Sequence, residues 1–315
     1  MLNVGVCDRL DVHIVSDNYV DCITNSSDDV TRHGIIYHFT AGNEPVLADP
    51  GFCAVVDAYI GQECKRILID GGWCSDVALH NMKIMGIDPA TIQTVILSHG
   101  HPDHFTGLPG VLKAIGHSVP LYTHPDAFFP RVIVREGSFT SDVFNRDLTV
   151  ANLEAAGGRV ALVRSPVMMA SGFMYSGQIE RTVDFEEEVP KGRYSIRDGE
   201  LKDDFVLDDS AIICNVKGKG LVVIMVCGHA GAVNTSKHAQ KITGEQNIYA
   251  VLGGFHMGHF GLNANKANKT IEALKEMGVK KVAPIHCSGM VTKFATAKFM
   301  PDEYVDIGAA CTLHF

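Results

Sequence analysis

Short runs rich in Val, Ile and Leu recur along this chain, each closed by Gly, Asp or Pro. They fall at residues 11–16, 34–39, 66–69, 94–98, 159–163, 211–216, 221–227, 248–252, 281–285 and 311–315. Such runs predict strands, half-buried where polar positions alternate and fully buried where they do not. Between them the apolar spacing changes to that of helices. Residues 75–85 open on Ser75-Asp76 and stop before Gly86. Residues 265–277 space Ile271, Leu274 and Met277 three apart, carry lysines elsewhere, and stop at Gly278. Strands interleaved with helices predict an α/β layered fold. One stretch breaks the rhythm. Residues 125–209 contain no histidine, with a Met- and aromatic-rich piece at 168–175 and a charged piece at 180–204. This stretch reads either as an excursion packed on the core or as a lid over a site built elsewhere.

Composition narrows the class. The 315 residues are 46% hydrophobic and 20% charged, ordinary values for a globular chain. No repeat or linker divides them, so a single domain over 1–315 is expected. The net charge of −9 argues against a broad nucleic-acid or anionic-membrane surface. No apolar run approaches a bilayer span, and Asp8, Arg9 and Asp11 interrupt any signal-peptide core. A cytoplasmic protein with a small-molecule substrate is expected, with no nucleic-acid or membrane partner; a homodimer stays open. The nine cysteines form no CxxC pair, which predicts free, mostly buried thiols. Cys227 and Cys287 differ in sitting beside histidines.

The fifteen histidines change the picture most. An apolar strand at 94–98 runs into His99-Gly100-His101-Pro102-Asp103-His104. Loops leaving the C-terminal ends of strands are where α/β sites assemble. Alternating positions place His99 and His101 toward one ion, and Asp103 and His104 a turn further on toward a second. A mixture of imidazole and carboxylate suits Zn²⁺, Fe²⁺ or Mn²⁺. More donors must come from later in the chain. His229, in Cys227-Gly228-His229, and His286 repeat the grammar of strand followed by histidine. His256 shares it more weakly, as ligand, substrate contact or packing. Asp70, closing the strand before Gly71-Gly72, can accept an N–H from a ligating imidazole or simply cap its turn. Asp208 and Asp209 read as turn residues first and bridging carboxylates second. His124 reads as structural or as support for a ligand. His13, His33, His38, His80, His117, His238, His259 and His314 lack the context and go to surface or core.

At these residues a resemblance enters. Ser98-His99-Gly100-His101-Pro102-Asp103-His104-Phe105-Thr106-Gly107 resembles the HxHxDH signature of the metallo-β-lactamase superfamily, with Asp70-Gly71-Gly72 upstream and His286 downstream. Within it the chain is similar to the branch of 7,8-dihydropterin-6-ylmethyl-4-(β-D-ribofuranosyl)aminobenzene-5′-phosphate synthases. The branch matches fall at 15–18, 33–36, 98–107, 176–181, 227–231 with Asn234, 253–256 and 286–289. The resemblance implies a four-layer αββα sandwich with two divalent metal ions, zinc first and iron or manganese as options. Its ligands would be His99, His101, Asp103, His104, His229 and His286. Asp103 would act in catalysis, and Asp70, His256, Arg181 and Cys227 would support the ligands or touch substrate. The chain departs from the superfamily pattern in lacking a histidine between His124 and His229 and the bridging aspartate after the late strand. His229 then takes a ligand position, or water or substrate completes one ion. Three activities follow: first a hydrolase of a small ester, lactone or phosphate-containing metabolite, using a metal-bound hydroxide; second a pterin-methyl transferase forming a C–N bond to a ribofuranosyl-aminobenzene phosphate; third a metal-dependent binding protein without turnover.

Overall fold

The computed structural model describes residues 2, 4–135, 138–139, 142–170, 172–186, 192–257 and 264–315; His259 lies outside them. Its strands begin with β1 (Arg9–Ser16), β2 (Val30–Thr31), β3 (Cys53–Ile60), β4 (Glu63–Ile69), β5 (Thr94–Leu97) and β6 (Val119–Thr123). They continue with β7 (Arg131–Arg135), β8 (Ser138–Phe139), β9 (Gly158–Leu162), β10 (Val167–Ala170), β11 (Phe173–Tyr175) and β12 (Arg193–Arg197). The last are β13 (Glu200–Asp203), β14 (Ala211–Val216), β15 (Gly220–Met225), β16 (Ile248–Gly254), β17 (Lys281–Ile285) and β18 (Cys311–His314). The helices are α1 (Ile35–Phe39), α2 (Ser75–Ile84), α3 (Pro102–Phe105), α4 (Leu108–Ile115), α5 (Val150–Ala155), α6 (Ala232–Thr243), α7 (Ala264–Glu276) and α8 (Gly289–Phe299).

One sheet runs β2-β18-β1-β3-β4-β5-β6-β9 and a second β10-β11-β14-β15-β16-β17; a small sheet, β13-β12-β7-β8, stands beside them. The strand sequences explain the layering. In β15, Val222 and Ile224 join the core between the two large sheets, while Leu221, Val223 and Met225 join the core under α6, α7 and α8. In β3, Ala54, Val56 and Ala58 face the other sheet, and Cys53 and Val55 face the helical side with α2 and α4. Strands covered on both faces read as apolar runs, continuous in β15 and broken in β3 only by Asp57. The result is the four-layer αββα sandwich. No helix among the described residues is long and apolar enough to cross a membrane.

Three stretches show how the structure departs from the sequence reading. Residues 34–39, expected as a strand, hold α1; Ile36 and Phe39 are 79% and 82% exposed, so these apolar side chains answer to no sheet. β3 went unread because Asp57 interrupts its apolar run. Residues 125–209 also divide. β9 extends the first sheet, β11 is a fully buried strand of the second, and β7, β12 and β13 build the small sheet.

The parallel sets β4-β5-β6-β9 and β15-β16-β17 end near one edge of the sandwich. The residues following β4, β5, β15, β16 and β17 are Asp70, Ser98-His99, Val226-Cys227, Phe255-His256 and His286. Topology alone therefore delivers the chemically active residues to one place.

Candidate metal centre

The loop after β5 turns at Gly100, whose amide donates to Asp208 Oδ2 at 2.8 Å. A side chain there would run into the Ala127 carbonyl, so only glycine lets the loop lie this close. The loop then enters α3, which carries Asp103 and His104. Asp70 organises both histidines. Its Oδ1 accepts from the Ser98 amide at 2.7 Å; its Oδ2 accepts from Ser98 Oγ and from His104 Nδ1, each at 2.7 Å. Having donated to Asp70, the Ser98 hydroxyl can accept from His99 Nδ1 at 2.9 Å. Both rings are thereby fixed as Nδ1–H tautomers with Nε2 turned inward. Asp70, His256 and His286 all sit at positive φ, 56°, 47° and 53°. Such strain in non-glycine residues persists where the surroundings impose it.

Two groups of donors result. In the first, ligand atoms of His99, Cys227 and His229 lie within 4.8 Å of one another. The His101 ring stands beside them, its centroid 4.6 Å from that of His99 and 4.9 Å from that of His229. In the second, His104, Cys227 and His286 meet the same limit. There His286 Nε2 lies 3.2 Å from His104 Nε2, and Asp103 Oδ2 lies 3.5 Å from His104 and 3.3 Å from His286. His256 packs on the first group, its ring centroid 3.8 Å from that of His229, with Nδ1 3.5 Å from Cys227 Sγ. A third group, Cys227, His256 and Cys287, overlaps both.

These residues fit divalent ions. Donors about 2.0–2.1 Å from a tetrahedral ion stand roughly 3.3 Å from one another, which is the spacing of the Asp103, His104 and His286 atoms. Among the described residues, His99 Nε2 and both ring nitrogens of His229 have no hydrogen-bond partner although buried, a costly arrangement that an ion would relieve. Burial holds His99, His101 and His229 well below the usual imidazole range, helped by neighbouring imidazoles for His99 and His229 and by Arg131 for His101. They are neutral, with lone pairs to offer. Burial alone would raise the Asp103 carboxyl, but His104 and His286 outweigh it and keep Asp103 ionised. For His104 burial is likewise outweighed, by Asp103 and Asp70, which raise its basicity.

The remaining sequence candidates fall outside the donor groups. Asp208 is committed to Gly100 and to the buried Arg131 guanidinium, which also binds Asp204. Asp209 accepts the Ala230 amide at 2.8 Å, and burial raises its pKa to about 7. Arg181 donates to the carbonyls of Phe205 and Val206. His124 Nδ1 accepts the Asp126 amide at 3.1 Å. Sequence reasoning missed Asp17 and Asn18 as anchors of the last histidine. Asp17 Oδ1 accepts the His286 amide at 2.9 Å, and Asn18 Nδ2 donates to the His286 carbonyl at 3.1 Å. It also gave Cys227 a supporting place. The signal was present, since Cys227-Gly228-His229 after β15 repeats the spacing of His99-Gly100-His101 after β5.

Residues 48–164 match the family model of the metallo-β-lactamase superfamily. The chain is 30% identical over 291 residues to the 7,8-dihydropterin-6-methyl-4-(β-D-ribofuranosyl)-aminobenzene-5′-phosphate synthase of Methanocaldococcus jannaschii, covering 92% of this chain and 91% of the relative. Among solved structures it superposes on a metal-dependent hydrolase of the β-lactamase superfamily with a TM-score of 0.70 at 23% identity, covering 96% and 98% of the two chains. The metallo-β-lactamase fold protein YhfI of Bacillus subtilis matches at a TM-score of 0.51 and 13% identity, covering 98% and 100%. Both structural likenesses concern the fold.

Proposed function

The chain belongs to the metallo-β-lactamase superfamily, and from that membership we propose that it is a metal-dependent enzyme with two divalent ions at the sheet edge. We further propose that it joins a pterin-methyl group to the nitrogen of a phosphate-bearing ribofuranosyl-aminobenzene. The observation that carries the metal reading is the pair of largely buried donor groups, with His99, His101 and His229 on one side and Asp103, His104 and His286 on the other. The choice of transfer leans on similarity to the synthase, which runs through 92% of this chain and includes every donor segment.

Ions held there would supply Lewis acidity toward a departing phosphate or an attacked carbonyl. The chain supplies the rest. A cavity of about 480 Å³ opens beside His286, walled by Tyr19, Met290, Phe294 and Tyr304, with Lys293 and Asn18 at its polar side. Flat aromatic walls next to the donors suit a heteroaromatic ring. Asp103, its side chain 29% exposed while His99, His104, His229 and His286 are buried, is placed to take the proton of an attacking nucleophile. In the transfer, the nitrogen forms its bond to the methylene carbon as the bond from that carbon to the diphosphate oxygen breaks. The amine proton passes to Asp103.

Hydrolysis of a small ester, lactone or phosphate compound is the second reading, favoured by the same exposure of Asp103 to solvent. Metal-replete protein incubated with a pterin-methyl diphosphate and the aromatic amine separates the two. Coupled product with released diphosphate is expected; diphosphate without coupled product would reject transfer. His101→Ala should lose turnover and the ion of its group together, and retained turnover would reject the metal assignment.

A further inference from the structure

We propose that the thiolate of Cys227 is the ligand shared by both ions, a proposal that rests on the two-ion reading above. Cys227 is the residue common to the two donor groups, within 4.8 Å of His99 and His229 on one side and of His104 and His286 on the other. Zinc–sulfur bonds are about 2.3 Å and zinc–nitrogen bonds about 2.0–2.1 Å. One sulfur can therefore reach two ions spaced by the roughly 3.5–4 Å of paired-metal sites.

Charge points the same way. Two divalent ions would face imidazoles and a single ionised carboxylate, Asp103. Of the nearby buried acids, Asp70 holds Ser98 and His104, Asp208 holds Gly100 and Arg131, and Asp209 gives one oxygen to the Ala230 amide. A thiolate is a further anion that this interior can offer, and metals readily deprotonate a coordinated thiol.

The backbone presses the sulfur into place. Gly228, at φ +71°, turns the chain immediately after Cys227. A side chain at position 254 would stand 2.9 Å from Cys227 Cα and 2.6 Å from Cys287 Sγ, so the glycine of β16 lets both cysteines approach. Cys287 Sγ lies 3.1 Å from Cys227 Sγ and donates to the Cys227 carbonyl at 3.0 Å; His256 Nδ1 lies 3.5 Å from the same sulfur. Cys287 and His256 are therefore positioning residues for a sulfur that faces the ions.

The test uses full-length protein kept reduced and oxygen-free, loaded with zinc or cobalt(II) alone. X-ray absorption of the protein with two zinc ions should give one sulfur neighbour per zinc at about 2.3 Å. Half a sulfur per zinc would mean that Cys227 serves one ion only, and no sulfur would remove it from the centre; either overturns the proposal while leaving the two-ion reading intact. Protein that binds no metal overturns both. With cobalt, the near-ultraviolet thiolate charge-transfer band should persist in Cys287→Ser and vanish in Cys227→Ser, with affinity for the second ion falling more than about tenfold. A band lost only in Cys287→Ser assigns the thiolate to Cys287 and overturns the proposal. Cys227→Asp guards against misfolding of the serine variant, since it should keep two ions and lose the band.

Discussion

Asp70 is the residue on which the candidate centre turns, although it stands behind the donor groups rather than in them. It receives the Ser98 amide, the Ser98 hydroxyl and the His104 ring, and through Ser98 it also sets the His99 ring. Replacing it with Asn keeps the size and tolerates the positive φ that Asp70 adopts. The amide presents a donor to one of these partners and so disturbs a ring that must keep its proton on Nδ1. Asp70→Asn should therefore weaken metal affinity by about 10–100-fold with the fold preserved. Competition with a chromophoric chelator reads this directly, and unchanged affinity would mean that Asp70 does not orient the ligating rings.

Elements are tied by contacts that a strand-by-strand reading does not reveal. Asp57 interrupts β3 and is essentially fully buried, which hid that strand in the sequence. Its carboxylate is bracketed from both neighbouring strands, by Arg66 of β4 at 2.6 and 2.7 Å and by His13 of β1 at 3.3 Å. Burial would raise its pKa, yet Arg66 and His13 outweigh burial and lower it from 3.8 to about 2. A folded-state value below the unfolded one contributes stability above pH 4 that is lost as pH falls from about 4 toward 2. The shift corresponds to about 2 kcal/mol at neutral pH. In urea unfolding, Asp57→Asn should be less stable than the parent by about that amount at pH 7, with the gap closing through this window. A gap independent of pH would reject the account. The same logic explains what was legible. The donors of 99–104 adjoin along the chain and announce themselves, and the long buried strands β14, β15 and β17 carry enough apolar residues to be read. β11 is three residues long, too short to display a period, so Phe173–Tyr175 fell within a stretch read as either an excursion or a lid. Cys227 carries a local signal in its spacing after β15, but its nearness to both donor groups depends on how β5, β15 and β17 meet.

At the scale of the whole molecule, the proposed centre would cross-link the halves of the chain. His99, His101, Asp103 and His104 leave the first sheet, while Cys227, His229 and His286 leave the second. Ions bound only by the folded arrangement stabilise it by mass action, about 2.7 kcal/mol when free metal exceeds its dissociation constant a hundredfold. Because the donors come from both sheets, that stabilisation belongs to the whole fold. Removing metal with a chelator should lower the midpoint of a single cooperative transition rather than create a second one. His286→Asn supplies the control. Asparagine accepts the positive φ at this position and leaves the Asp17 and Asn18 contacts to the backbone intact. It should bring the metal-loaded protein down toward the metal-free midpoint while shifting the metal-free midpoint little. Calorimetry of the two proteins with and without zinc tests the linkage. Equal losses in both states would mean that His286 serves packing alone, and a metal-free protein melting in two steps would mean that the sheets are held together by the ions rather than by their common core.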